Sequence, residues 1–150
     1  MKQVTEHFAR AADTEVYLFG AGNIESEMLR QWSNVIPGTF CIAGQLPLEE
    51  ELELMRQLDL MICMDSANQH LSSLVGLKAL SIWLGTHPKL GFYGWKQLGG
   101  DCIQSPMPCR PCTIHGTKHC RYLNFECHRI PAAEIIKKAE EILSEQIKAS

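Results

Sequence analysis

Apolar residues fall into two rhythms that take turns along the chain. Val4, Phe8 and Ala11 recur at helical spacing through residues 2–12, and EVYLFG then reads as a short buried strand ending at Gly20. Ile24, Met28, Leu29 and Trp32 share one face of NIESEMLRQW, ahead of a second strand, TFCIAG, stopped by Gly44. Leu48, Leu52, Met55 and Leu58 form the stripe of an acidic helix that leads into a third strand, DLMICM. QHLSSLVG is then a helix closed by Gly76 as its C-cap, and KALSIWLG is a fourth strand. From Thr86 to Ile130 the rhythm dissolves into Gly, Pro, aromatic and Cys residues. It returns in PAAEIIKKAEEILSEQIKAS, an amphipathic helix from about residue 131 with Pro131 in its first turn.

Strands that are continuous apolar runs, rather than in-out alternations, are covered on both faces, as in parallel sheets flanked by helices. The expected fold class is therefore α/β, a Rossmann-like doubly wound parallel sheet. No repeat, low-complexity tract or linker interrupts it, so residues 1–150 are expected to form a single domain.

In such sheets ligands bind beyond the carboxyl ends of the strands. The four turns there are GAGNIE, GQLP, DSANQH and GTHP, which together offer small residues, hydroxyls, amides, acids and histidines. The glycines at Gly20 and Gly22 suggest a dinucleotide fingerprint, but Glu25 stands where its third glycine belongs, and that reading fails. Glu25 either accepts from ribose hydroxyls or complements its helix dipole. In DSANQH, a helix needs one cap from Ser66 or Asn68, with Asp65 assisting and His70 packed on the sheet. The surplus of polar groups suits a diphosphate at a helix N-terminus, with Ser72 and Ser73 keeping the helix slim for a ligand. Thr86 and His87, with the loop GFYGW, offer a phosphate donor and an aromatic wall, or rings that close the core.

Charge and length narrow the class. With 14 basic against 17 acidic residues and a net charge of -3, the basic footprint of a nucleic-acid binder is missing. No apolar run approaches the roughly 20 residues that cross a bilayer, and MKQVTEHFARAADTE does not resemble a secretory signal. A cytoplasmic protein is expected. Seven cysteines, an odd number, argue for reduced thiols or a metal rather than a disulfide framework. Cys41 and Cys63 sit in strands as small hydrophobes. Five others crowd into residues 102–127, where Cys109, Cys112, Cys120 and Cys127 are candidate ligands for a structural Zn²⁺. Their spacing lacks a second CxxC hook, which places free or partly oxidised thiols packed under a loop ahead of metal.

The stretch DLMICMDSANQHLSSLVGLKALSIWLGTHP resembles the signature of the heptosyltransferases of glycosyltransferase family 9, which build the inner core of bacterial lipopolysaccharide: strand, Asp-Thr/Ser-Gly-x-x-His, helix, strand, Gly-rich turn. FGAGNIESE is similar to that family's earlier glycine turn and acid, IAGQLPLEEELELM to the segment between, and the Cys-rich loop has counterparts among members. Two positions depart from the pattern, Ala67 in place of Gly and Gln69 in place of an apolar residue.

The resemblance implies the C-terminal, donor-binding half of a two-domain GT-B glycosyltransferase, without that half's first strand and Lys-bearing turn. The donor would be a nucleotide sugar, typically ADP-heptose, and the acceptor a lipopolysaccharide core or related glycan held by an N-terminal half. By the same resemblance Asp65 would contact the donor sugar or diphosphate. Ser66 and the amides near Ala67 and Asn68 would hold the phosphates, Glu25 the ribose, and His70 would brace the motif; Gly20, Gly22, Thr86 and His87 complete the donor set. Transfer would be inverting, metal-independent and without a required cofactor. Its carboxylate base would lie outside this chain, which alone would be inactive. The enzyme would be cytoplasmic or peripheral at the inner membrane, and a bare sheet edge would allow self-association. A sugar-nucleotide epimerase of GT-B architecture, or a non-enzymatic Cys-rich α/β module that binds a protein partner, are the alternatives.

Overall fold

The computed structural model describes residues 1–97, 99–115, 119–120, 122 and 124–149. The chain forms two compact units, Met1–Leu54 and Met55–Ser150. Helices and parallel strands alternate in both, as the pattern predicts.

In the first unit, α1 (Lys2–Ala9) precedes β1 (Val16–Leu18), and α2 (Asn23–Val35) precedes β2 (Thr39–Cys41). The two strands pair in parallel, with Val16 opposite Thr39 and Leu18 opposite Cys41. Leu18, Leu29, Cys41 and Ala43 form the core, with Val16 and Trp32 packed against it. The predicted stripe of α2 is narrower than expected, since Leu29 is buried but Ile24 is 90% exposed. Ile24 lies in the first turn, one residue after the helix begins.

Helix α3 (Leu48–Met55) ends at the start of the second unit. There β3 (Met61–Met64), β4 (Ala79–Trp83) and β5 (Cys102–Gln104) form a parallel sheet in the order β3-β4-β5. Every residue of β4 is buried, the signature of a central parallel strand. Strand β5 falls in the stretch expected to be irregular. It has three residues, of which Ile103 alone is buried apolar, too few to carry a periodic signal. Helix α4 (Ala67–Val75) joins β3 to β4 and ends at Gly76 with φ 77°, the left-handed cap expected there. Helix α5 (Ala132–Ala149) buries Ile135, Ala139 and Ile142 on one stripe. Its Gln146 Nε2 donates to the Asp59 carbonyl at 3.2 Å. No helix among the described residues is long and apolar enough to cross a membrane.

Candidate functional site

The site of the second unit is built at the carboxyl ends of β3 and β4. Asp65 follows β3, and its backbone N–H donates to the Ile82 carbonyl at 3.1 Å, extending the ladder one residue past the strand. Its carboxylate Oδ2 accepts from Thr86 Oγ1 at 2.7 Å. A hydroxyl from the turn after β4 thus aims a carboxylate from the turn after β3. Both residues line a cavity of about 540 Å³ together with Met64, Ile82, Leu84 and Gly85. Its opposite wall comes from the Cys-rich loop and includes Met107, His115, Tyr122, Asn124 and His128.

That loop is tied to the strand ends. The Cys112 N–H donates to the Gly85 carbonyl at 3.2 Å. Arg110 donates from Nη2 to the Thr86 carbonyl at 2.6 Å and from Nη1 to the Ser105 carbonyl. Ser105 in turn donates from its N–H to the Trp83 carbonyl at 3.2 Å. Arg110 was not singled out by sequence. A lone Arg between two cysteines carries no spacing signal, and its role becomes visible only once the loop lies against β4.

The expected donor residues divide. Asp65 and Thr86 meet as described. Ser66 stands at the N-cap of α4 but makes no side-chain cap bond, so the expected hydroxyl cap is not formed. Ala67 opens the helix and is exposed, as is His70. His70 therefore does not pack on the sheet, and the buried partner is its neighbour Gln69, 1% exposed, whose Nε2 donates to the Phe92 carbonyl at 2.9 Å. Asn68 is half-buried, and its carbonyl accepts from Ser72 Oγ at 2.8 Å.

Ser72 and Ser73 are buried rather than turned to a ligand. The slim face they create is filled by the GFYGW loop: a Cβ on Gly94 would stand 2.7 Å from Ser73 Oγ. In the same loop Tyr93 packs against the fully buried Trp83, ring centroids 6.1 Å apart. Burial, foremost, pushes the Tyr93 hydroxyl up to about 12. Phe92 lies 5.8 Å from His115, and Trp95 is 68% exposed with Lys96 Nζ over its ring. His87 spends its Nδ1 accepting from the Lys89 N–H at 3.1 Å, which caps a short 3₁₀ turn at Pro88–Leu90.

The first unit holds the other three expected residues. Gly22, with φ 80°, is the N-cap of α2. Gly20 has no room for a side chain, since a Cβ there would meet Leu29 Cδ1 at 2.7 Å. Glu25 Oε2 accepts from the Ala21 N–H at 3.1 Å, so the carboxylate closes its own turn, the local role that its helix position allows.

All seven cysteines are free thiols. Among the described residues no three His, Cys, Asp or Glu groups stand at metal-ligand spacing. Cys63, buried in β3, is held up to about 12 by burial, with the Asp65 charge adding to it.

The model of glycosyltransferase family 9 (heptosyltransferase) matches residues 2–122. The chain belongs to glycosyltransferase family 9. Among solved structures it is similar to the glycosyl transferase family 9 protein from Veillonella parvula DSM 2008, with a TM-score of 0.69 at 19% identity. The alignment covers 96% of this chain and 40% of that one, so this family 9 chain spans less than half the length of the structure it matches. No curated protein matches it. The fold is thus that of a family 9 glycosyltransferase, and the Asp65–Thr86 pair sits inside the matched span.

Proposed function

We propose that the chain is the donor-binding part of a heptosyltransferase-like glycosyltransferase, which works with an acceptor-binding half to transfer a sugar from a nucleotide donor. The donor we favour is ADP-heptose or a close analogue, and the acceptor a lipopolysaccharide core or related glycan. Family membership across residues 2–122 supports the reaction class. The observation that carries the site is the Asp65 carboxylate, aimed by Thr86, at a cavity of about 540 Å³ beyond the ends of two parallel strands. A cavity in the range of small-molecule pockets, with few placed polar groups among apolar walls, suits a sugar nucleotide.

In this role Asp65 accepts from donor sugar hydroxyls, and the backbone amides of Ala67 and Asn68 at the start of α4 offer donors to the diphosphate. Transfer proceeds with inversion and without a catalytic metal, its base supplied by the acceptor-binding half. Neither the Glu25 carboxylate nor the His87 ring is needed for this reading.

Titration of the chain with ADP, an ADP-sugar and a UDP-sugar, followed by amide NMR, tests the site. Movement of Asp65, Thr86 and the first turn of α4 with the adenine compounds is the expected result. Signals unmoved by all three would remove the donor role. For the reaction, the chain joined to an acceptor-binding half is incubated with donor, with and without glycan. Product formed only with acceptor is expected; a sugar altered without acceptor would make it an epimerase instead.

A further inference from the structure

Cys109, Cys112, Cys120 and Cys127 span a loop with little regular structure, yet all four line the same cavity. Their spacing is C-x₂-C-x₇-C-x₆-C. Between β5 and α5 the only regular element among the described residues is a 3₁₀ turn at Glu126–His128. The loop is tied to the strand ends at Cys112 and Arg110, and of the four cysteines Cys127 is buried while Cys109, Cys112 and Cys120 keep some exposure. Cys41, Cys63 and Cys102 do not line this cavity: the first two are buried in strands, and Cys102 Sγ lies 3.4 Å from the Gly99 carbonyl and 3.6 Å from Gln104 Nε2. The nearby imidazoles of His115 and His128 are turned to rings, packing on Phe92 and Phe125.

Two of the four are further linked through the loop backbone, where Cys112 Sγ donates to the Cys109 carbonyl at 3.8 Å. Arg110 is fixed at the edge of this group by its bonds to Thr86 and Ser105, where it supplies positive charge against the dianion that four thiolates and one divalent ion make.

We propose that Cys109, Cys112, Cys120 and Cys127 form a structural Zn²⁺ site of four thiolates that closes the Cys-rich loop over the strand ends. Binding draws the thiols in from their present spacing and releases their protons, as in zinc modules whose order comes with the metal. Catalysis by the family need not involve this ion, because its work is to shape a wall.

The test uses the whole 150-residue chain, reduced and metal-depleted. Zn²⁺ titrated against a chromophoric chelator should bind at one equivalent, and Co²⁺ should give the thiolate charge-transfer band and intense visible bands of a tetrahedral S₄ site. Cys112→Ser and Cys127→Ser should each weaken binding by more than the ~10–100-fold typical of outer-shell changes, while Cys102→Ser retains it. Titration of wild-type chain rules on folding artefacts, since it needs no substitution. A Co²⁺ spectrum without the thiolate band overturns the proposal. So does iron with iron–sulfur absorption, or fewer than seven reactive thiols in denatured, chelator-treated protein prepared without reductant, which would mean disulfides.

Discussion

At the scale of single residues, the hydroxyl of Thr86 and the carboxylate of Asp65 form the pair on which the site turns. A hydrogen bond to a charged group contributes about 1.5–3 kcal/mol net, and here it also fixes where the second carboxylate oxygen points. Thr86→Val keeps the shape and removes the donor. Sugar-nucleotide affinity should then fall about tenfold, equivalent to ~1.4 kcal/mol, measured by calorimetric titration; an unchanged Kd would separate Asp65 from donor binding. Cys63 gives a second residue-scale expectation, through its proton. Its folded thiol is raised from the usual 9.0 to about 12, so the folded state holds a proton that the unfolded chain gives up. Its contribution is full below pH 9 and is lost as pH climbs towards 12, at about 1.4 kcal/mol per pH unit. Urea unfolding of wild type and Cys63→Ala across pH 8.5–11, bounds chosen about that window, should show the steeper alkaline loss in wild type. Parallel slopes would mean the thiol is solvated.

At the scale of elements, α4 and the GFYGW loop fit together because one is slim where the other lacks a side chain. Gly94→Ala puts a methyl 2.7 Å from Ser73 Oγ, 2.8 Å from Gln97 Cγ and 3.1 Å from Gln69 Cγ. Gln97 has little freedom to move, since its amide accepts from Ala79 N–H at 2.8 Å and donates to the Leu77 carbonyl at 3.0 Å. Overpacking of this kind costs about 1–3 kcal/mol, readable as a lower urea midpoint; a neutral outcome would show that the loop yields. The same contact explains what sequence could and could not convey. Element order and type were legible because apolar spacing is a local property: α2, α3 and α4 and four of the five strands lie where that spacing puts them. Strand β5 was not, because three residues with one buried Ile hold no period. The placement of Asp65 and Thr86 in the turns after β3 and β4 was legible from the strand pattern. The burial of Ser72 and Ser73, the outward turn of His70 and the anchoring by Arg110 were not, since each depends on a loop folding back over long sequence separation.

At the scale of the molecule, the Asp65–Thr86 pair and the four loop thiols line one cavity: strand ends form one wall and the Cys-rich loop the other. If Zn²⁺ orders that loop, it prepares the cavity before the sugar nucleotide arrives, and the two ligands must be thermodynamically coupled. Coupling is reciprocal, so the factor by which the metal tightens the nucleotide equals the factor by which the nucleotide tightens the metal. Couplings of this kind are about 5–150-fold. Each ligand alone at 100 times its Kd stabilises the fold by about 2.7 kcal/mol, which raises Tm by roughly 5–10 °C in a chain of this size. Asp65→Asn should abolish the nucleotide's rise in Tm and leave that of Zn²⁺, whereas Cys112→Ser should abolish the rise from Zn²⁺ and weaken the nucleotide's. The decisive comparison is the nucleotide Kd in metal-loaded and metal-depleted wild type. A tighter Kd with metal would place the loop in the donor site, while equal values alongside a bound ion would leave the ion as a brace and confine donor recognition to the strand-end wall.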